Sequence, residues 1–338
     1  MVEAAGRPPE GLDLALARLE DAVLGGPREL TAADVARLAG VEPAELATFW
    51  NALGLRLPDP DEKAFTSADV AVVSGFIGAS HEYGLSPTAG VSLVRAMGHT
   101  MERLVSWQTE TIVEHLATKY GLRDADARGL LLERLLLIDD LLAQGLVHAW
   151  RRHLAAAAGR ASALAARGAD EVSDELPLAR AVGLADVVGF TTRTAELGAE
   201  ALADYVQGFE AQARDVVTAH GGRVVKTIGD ALLFVADDAA TGARVALGLA
   251  EALGPDSDAP LRVGLVWGRV LSRFGDIFGP AVALASRLCD EAGPGRVLVD
   301  EATAGCLPGF LLDALEVRDV AGIGPLRPYL LVTEPRKS

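Results

Sequence analysis

Near residue 178 the hydrophobic pattern of this chain changes period, and that change limits what it can fold into. Before it, apolar residues recur at helical spacing; after it they come as short runs bounded by glycine and separated by helical stretches. Residues 11 to about 155 therefore read as helix almost throughout. Thr31-Ala-Ala-Asp34 and Thr66-Ser-Ala-Asp69 read as N-caps with an acid in the first turn. Ser86-Pro87 starts another helix, with proline at the first helical position. That helix carries Leu93, Met97, Leu104 and Ile112 and is expected to reach about Tyr120; a second long helix is expected from Asp124 to about Leu154. Two long apolar helices in succession imply a bundle or a dimerising hairpin. From Ala155 to Pro177 bulky residues thin out and an acidic stretch, Asp170–Glu175, follows, which reads as a partly helical connector.

Beyond the connector, strands are expected near 181–188, 261–271, 296–299 and 328–333, a hairpin over 223–235, and helices near 196–219 and 238–253. The order β-α-β-β-α-β is the ferredoxin-like arrangement. The fold class is thus α+β: an all-helical domain over 1–155, a connector over 156–178, and a ferredoxin-like domain over 179–336.

Composition narrows the partners. The net charge of −16 argues against nucleic acid or an anionic membrane as the main partner. The N-terminus lacks the basic and apolar regions of a signal peptide, and the apolar run beginning at Gly129 is broken by charges, so a cytoplasmic protein is expected. Two cysteines, Cys289 and Cys306, form no metal-ligand spacing and read as core residues. Leu30–Gly54 has the look of a helix-turn-helix, with Gly40 at the turn and Val35, Leu38, Leu46 and Phe49 inside. It holds one basic residue, Arg37, against Asp34, Glu42 and Glu45, so it reads as a packing module and not a DNA reader.

Two aspartates carry the chemistry. Asp186 lies in Ala181-Val-Gly-Leu-Ala-Asp-Val-Val-Gly-Phe-Thr-Thr192, and Asp230 in Gly222-Arg-Val-Val-Lys-Thr-Ile-Gly-Asp-Ala-Leu-Leu-Phe-Val235. A carboxylate inside an apolar, strand-like run is costly unless its charge is compensated. Either aspartate alone could simply cap a turn. Two at neighbouring strand ends could share divalent cations, because Mg²⁺ takes one or two carboxylates plus substrate phosphates.

With a third segment, Arg273-Phe-Gly-Asp-Ile-Phe-Gly-Pro-Ala-Val-Ala-Leu-Ala-Ser-Arg-Leu288, the set resembles the catalytic domain of class III nucleotidyl cyclases over about residues 179 to 334. The resemblance implies that Asp186 and Asp230 bind two Mg²⁺ or Mn²⁺ ions per site. It implies that Lys226 and Asp276 read the purine of ATP as an adenine-selecting pair, and that Arg287 stabilises the transition state. Phe190, Thr191 and Thr192 match the turn whose amides hold phosphate oxygens. It further implies a homodimer with composite sites, the metal carboxylates of one protomer facing the purine-reading residues and Arg287 of the other. The product would be 3′,5′-cyclic AMP, with guanylate cyclase activity less favoured by the Lys/Asp pair.

Two positions depart from the pattern. Ala283 stands where the family usually has a ribose-orienting asparagine, and Val320-Ala-Gly-Ile-Gly-Pro-Leu-Arg327 lacks the usual phosphate lysine, leaving Arg318 or Arg327 as substitutes. They admit a second reading: a weak or inactive cyclase-fold module that binds nucleotide or a partner. The helical half resembles the regulatory domain of a pH-responsive bacterial subset, which implies inhibition relieved by acid and a fatty acid in the helical domain. His148 and His153 are the candidate sensors, since unperturbed histidine titrates near 6.5.

Overall fold

The computed structural model describes residues 10–166, 178–195, 197–273, 275–320 and 322–332. It separates into two compact units, 1–168 and 169–338.

The first unit contains α1 (Glu10–Val23), α2 (Ala32–Ala39), α3 (Pro43–Ala52), α4 (Ser67–Glu82), α5 (Pro87–Tyr120) and α6 (Asp124–Ala166). Its starts follow the expected caps. Thr31 and Asp34 form a capping box on α2, the Asp69 carboxylate accepts from Thr66 N at 2.7 Å, and the Ser86 hydroxyl accepts from Ala89 N. Val35, Leu46, Phe49, Phe65, Val73 and Val94 form one core; Val113, Leu116, Ala127 and Leu131 form another where α5 packs on α6. Leu38, expected inside, is exposed: α2 is only two turns long and its buried stripe is already occupied by Val35 and Ala36. α6 outruns its expected end near Leu154 and reaches Ala166. Scarcity of bulky residues looked like a connector, but alanine is the strongest helix former. The acidic stretch 170–175 lies outside the described residues. Among the described residues, no helix is long and apolar enough to cross a membrane.

The second unit runs β1 (Leu178–Val187), α7 (Phe190–Thr194), α8 (Ala199–Ala219), β2 (Arg223–Ile228), β3 (Ala231–Ala236), α9 (Ala239–Ala252), β4 (Leu261–Arg273), β5 (Asp276–Phe278), α10 (Pro280–Glu291), β6 (Val297–Val299), α11 (Glu301–Gly305), β7 (Leu311–Ala314), β8 (Arg318–Val320), β9 (Gly324–Leu326) and β10 (Tyr329–Val332). The main sheet has the order β2-β3-β1-β4-β6-β10-β7. Its first four strands are the antiparallel ferredoxin-like set, and β6 then joins β4 in parallel.

Both faces of the sheet are covered. Phe209, Ala213 and Val217 of α8 and Ala243, Ala246 and Leu249 of α9 pack on one face with Ala181 and Ala185. On the other, Ala281, Ala285 and Leu288 of α10 pack with Val182, Leu233 and Val266. α10 rests directly on the β4 backbone at Gly264, where a Cβ would stand 2.1 Å from the Ala285 carbonyl oxygen. That closeness sets where Arg287 and the rest of α10 lie relative to β4. Cys289 is buried in this contact, but Cys306 is exposed, contrary to expectation, because it follows the last turn of the short α11.

Candidate active site

Asp186 sits one residue before the end of β1, directly opposite Ala231 of β3 and Arg262 of β4. Asp230 occupies the β2–β3 turn, which Gly229 closes with φ 62°. The Asp230 carbonyl oxygen accepts from Val187 N at 3.3 Å, so the two carboxylate-bearing segments are tied by backbone at one end of the sheet. The expected neighbouring placement of these aspartates is therefore found.

Asp186 already has a partner that sequence reading missed. The Arg262 Nη2 and Nε groups donate to the same Asp186 Oδ2, at 2.6 and 2.9 Å. Burial pushes the Asp186 carboxyl above its ordinary value; the Arg262 guanidinium pulls it down, and the charges of Asp230 and Asp290 add to the rise. Because the folded state holds this proton more tightly than the unfolded chain, ionising Asp186 detracts from stability as pH climbs through the carboxylate range. Arg262 could have been found by the signal that singled out Asp186, a charge inside an apolar run, here Leu261-Arg-Val-Gly-Leu-Val266.

The two aspartates fit a hard divalent cation. They offer oxygen donors, and the charge of Asp230 opposes ionisation of Asp186, with one guanidinium to offset it. Among the described residues, no group of three or more His, Cys, Asp or Glu gathers into a cation site. Cys289 is no alternative ligand. Its thiol donates to the Arg262 carbonyl at 3.3 Å, and burial pushes its pKa to about 12.

Lys226 and Asp276 come together as expected: the ammonium donates to Asp276 Oδ2, and the other carboxylate oxygen accepts from Ile277 N at 2.8 Å. A β-bulge between Val224 and Lys226 shifts the β2–β3 register just before the lysine. Such bulges bend a strand and re-aim the side chains beside them. Lys226 and Asp276 thus present a donor beside an acceptor, both partly exposed.

Arg287 lies on the exposed face of α10, 3.6 Å from the Asp290 carboxylate. Ala283 is exposed one turn before it, so a side chain there would reach the same space. Phe190 begins the five-residue α7, and its ring packs against Tyr205 with centroids 6.0 Å apart. That ring is partly buried. Thr192 is exposed; the Thr191 side chain lies outside the described residues. Of the two substitutes for the missing lysine, Arg318 is bound to Glu291 at 2.9 Å and Arg327 is exposed. His148 and His153 are both exposed on α6 of the first unit, His148 beside a shallow groove with Gln144, Val147 and Arg151.

Comparison with known proteins identifies the family of the second unit and of most of the chain. Residues 180–333 match the adenylate and guanylate cyclase catalytic domain. An adenylate cyclase of Glutamicibacter nicotianae is 39% identical over 96% of this chain and 83% of its own. One from Streptomyces coelicolor is 40% identical over 87% of this chain and 76% of its own. A pH-sensitive adenylate cyclase of Mycobacterium tuberculosis is 31% identical over 82% of this chain and 70% of its own, so the likeness extends beyond the catalytic domain into the helical half. The chain belongs to the class III adenylate and guanylate cyclase family.

Proposed function

We propose that this protein is an adenylate cyclase that converts ATP to 3′,5′-cyclic AMP and pyrophosphate. The observation that carries the choice of base is the Lys226–Asp276 pair. A cation and a carboxylate side by side match the ring nitrogen and exocyclic amine of adenine, an acceptor next to a donor.

Asp186 and Asp230 hold the divalent ions, Mg²⁺ or Mn²⁺, two per site. When bound, these ions lower the pKa of the ribose 3′-hydroxyl and offset charge on the triphosphate. The 3′-oxygen attacks the α-phosphorus in line, the bond to the bridging oxygen breaks, pyrophosphate leaves and the hydroxyl proton passes to solvent. Arg287 stabilises charge that develops around the α-phosphate, and backbone amides at Phe190–Thr192 hold phosphate oxygens. The sites are composite: Asp186 and Asp230 of one protomer act with Lys226, Asp276 and Arg287 of its partner, so turnover requires the homodimer. With Mn²⁺, the full-length protein is expected to turn over ATP in preference to GTP. Equal or reversed preference would remove the adenine reading.

Regulation enters through the helical unit. A carboxylate binds a cation only when it is ionised, so acid does not favour cation binding at Asp186 and Asp230. The mycobacterial relative is named as pH-sensitive, and we assign a pH response of this protein to the helical unit. Protonation of the exposed His148 and His153 adds charge next to Arg151 and Arg152 on α6. Replacing both histidines by glutamine is expected to flatten the pH response of activity; a pH profile superposing on the wild type's would rule these sensors out. An apolar cavity of about 350 Å³ lined by Phe49, Phe76, Ile77, Leu85, Val91 and Val94 has room for a fatty-acid chain as a second input.

A further inference from the structure

The last turn of α10 is an unfavourable place for acids. A helix C-terminus carries partial negative charge, yet this one ends in Asp290-Glu291 with no basic residue in the turn. Glu291 is offset by Arg318 at 2.9 Å. Asp290 is different, because it faces two guanidinium groups at once. Its Oδ2 lies 3.6 Å from Arg287 Nη1, its Oδ1 3.7 Å from Arg262 Nη2, and its carbonyl oxygen accepts from Arg262 Nη1 at 3.1 Å. Arg262 in turn grips Asp186. The result is a row of alternating charge, Asp186–Arg262–Asp290–Arg287, running from the carboxylates that fit a cation to the arginine on the exposed face of α10.

We propose that Asp290 is a positioning residue for catalysis: its carboxylate orients Arg287, and its carboxylate and carbonyl together draw Arg262 off full engagement with Asp186. The Arg287 half of this rests on the cyclase reading, in which that arginine meets the α-phosphate; the Arg262 half rests on geometry alone. Without the carboxylate, Arg287 loses the only acid that faces it among the ion pairs of the described residues, and its long side chain samples more rotamers. Arg262 is left with Asp186 as its sole carboxylate and competes more strongly with a cation there. Neither change removes packing, since Asp290 is half exposed.

The direction of the stability effect separates positioning from a structural role. Neutralising an acid at a helix C-terminus relieves an unfavourable interaction with the macrodipole. Asp290→Asn in the full-length protein is therefore expected to keep or raise the melting temperature while kcat for ATP falls roughly three- to fivefold at an unchanged KM, the range set by exposed ion pairs. Asp290→Glu, which keeps the charge, should recover most of the loss. An unchanged kcat, or a kcat that falls together with the melting temperature, would overturn the proposal. Mn²⁺ affinity measured calorimetrically without nucleotide gives a readout that does not depend on turnover. Asp290→Asn should weaken it about two- to fivefold, and equal affinity in the two proteins would overturn the Arg262 half. A wild-type protein that forms no cyclic AMP would count against the cyclase reading, and the Mn²⁺ comparison would still decide whether Asp290 controls Arg262.

Discussion

Co-expressed Asp186→Ala and Arg287→Ala chains, isolated as mixed dimers through two different tags, are expected to recover about half of wild-type activity, although each variant alone is nearly dead. In the mixed dimer one composite site carries both lesions and the other carries neither. Alone, Asp186→Ala loses a cation ligand in both sites, and Arg287→Ala removes a preorganised donor worth roughly 10²–10³ in rate. The outcome depends on which residues share a chain and which share a site. Asp186 lies at the end of β1, whereas Arg287 stands on the exposed face of α10, which packs on the sheet through its opposite side. If both acted within one chain, the mixed dimer would remain as inactive as its parents, and the obligatory dimer would be wrong.

Ala283→Asn is expected to increase kcat, an unusual direction for a substitution in an active-site helix. The position is exposed, one turn before Arg287, and offers no hydrogen-bonding side chain. The cyclase resemblance implies a ribose-orienting asparagine at this position, and correct orientation of the attacking hydroxyl is worth one to two orders of magnitude, roughly 10–100-fold. The cost to helix stability is about 0.5 kcal/mol, the propensity difference between alanine and asparagine. Steady-state kinetics at saturating Mn²⁺-ATP reads the effect. No gain in kcat would mean that the ribose is held by another group or that chemistry does not limit turnover.

Much of this was legible before any coordinates. The βαββαβ order and the neighbouring placement of Asp186 and Asp230 follow from local patterns with a strong physical signature, whereas the pairing of Lys226 with Asp276 is what the cyclase resemblance implies. Apolar runs bounded by glycine announce strands, and charges stranded at their ends announce a site. What was missed depends on contacts distant in sequence. Arg262 is 76 residues from Asp186, and only the β1–β4 register brings them face to face. Asp290 looks like an ordinary solvated acid until α10 is seated on Gly264. The alanine-rich stretch up to Ala166 reads as a connector because it lacks bulky residues to bury, although alanine favours helix strongly. Leu38 and Cys306 are apolar and read as core, but a two-turn helix and a short turn of helix have too little covered face to bury them.

The most direct test is cyclic AMP formation by purified full-length protein supplied with ATP and Mn²⁺ or Mg²⁺, with the Asp230→Ala variant alongside. The expected result is cyclic AMP and pyrophosphate in equal amounts, dependent on the added metal and lost in the variant. Absence of cyclic AMP under every metal and pH condition would contradict catalysis. Paired with retained binding of ATP, it would identify Ala283 as the mark of a site that binds nucleotide without turning it over.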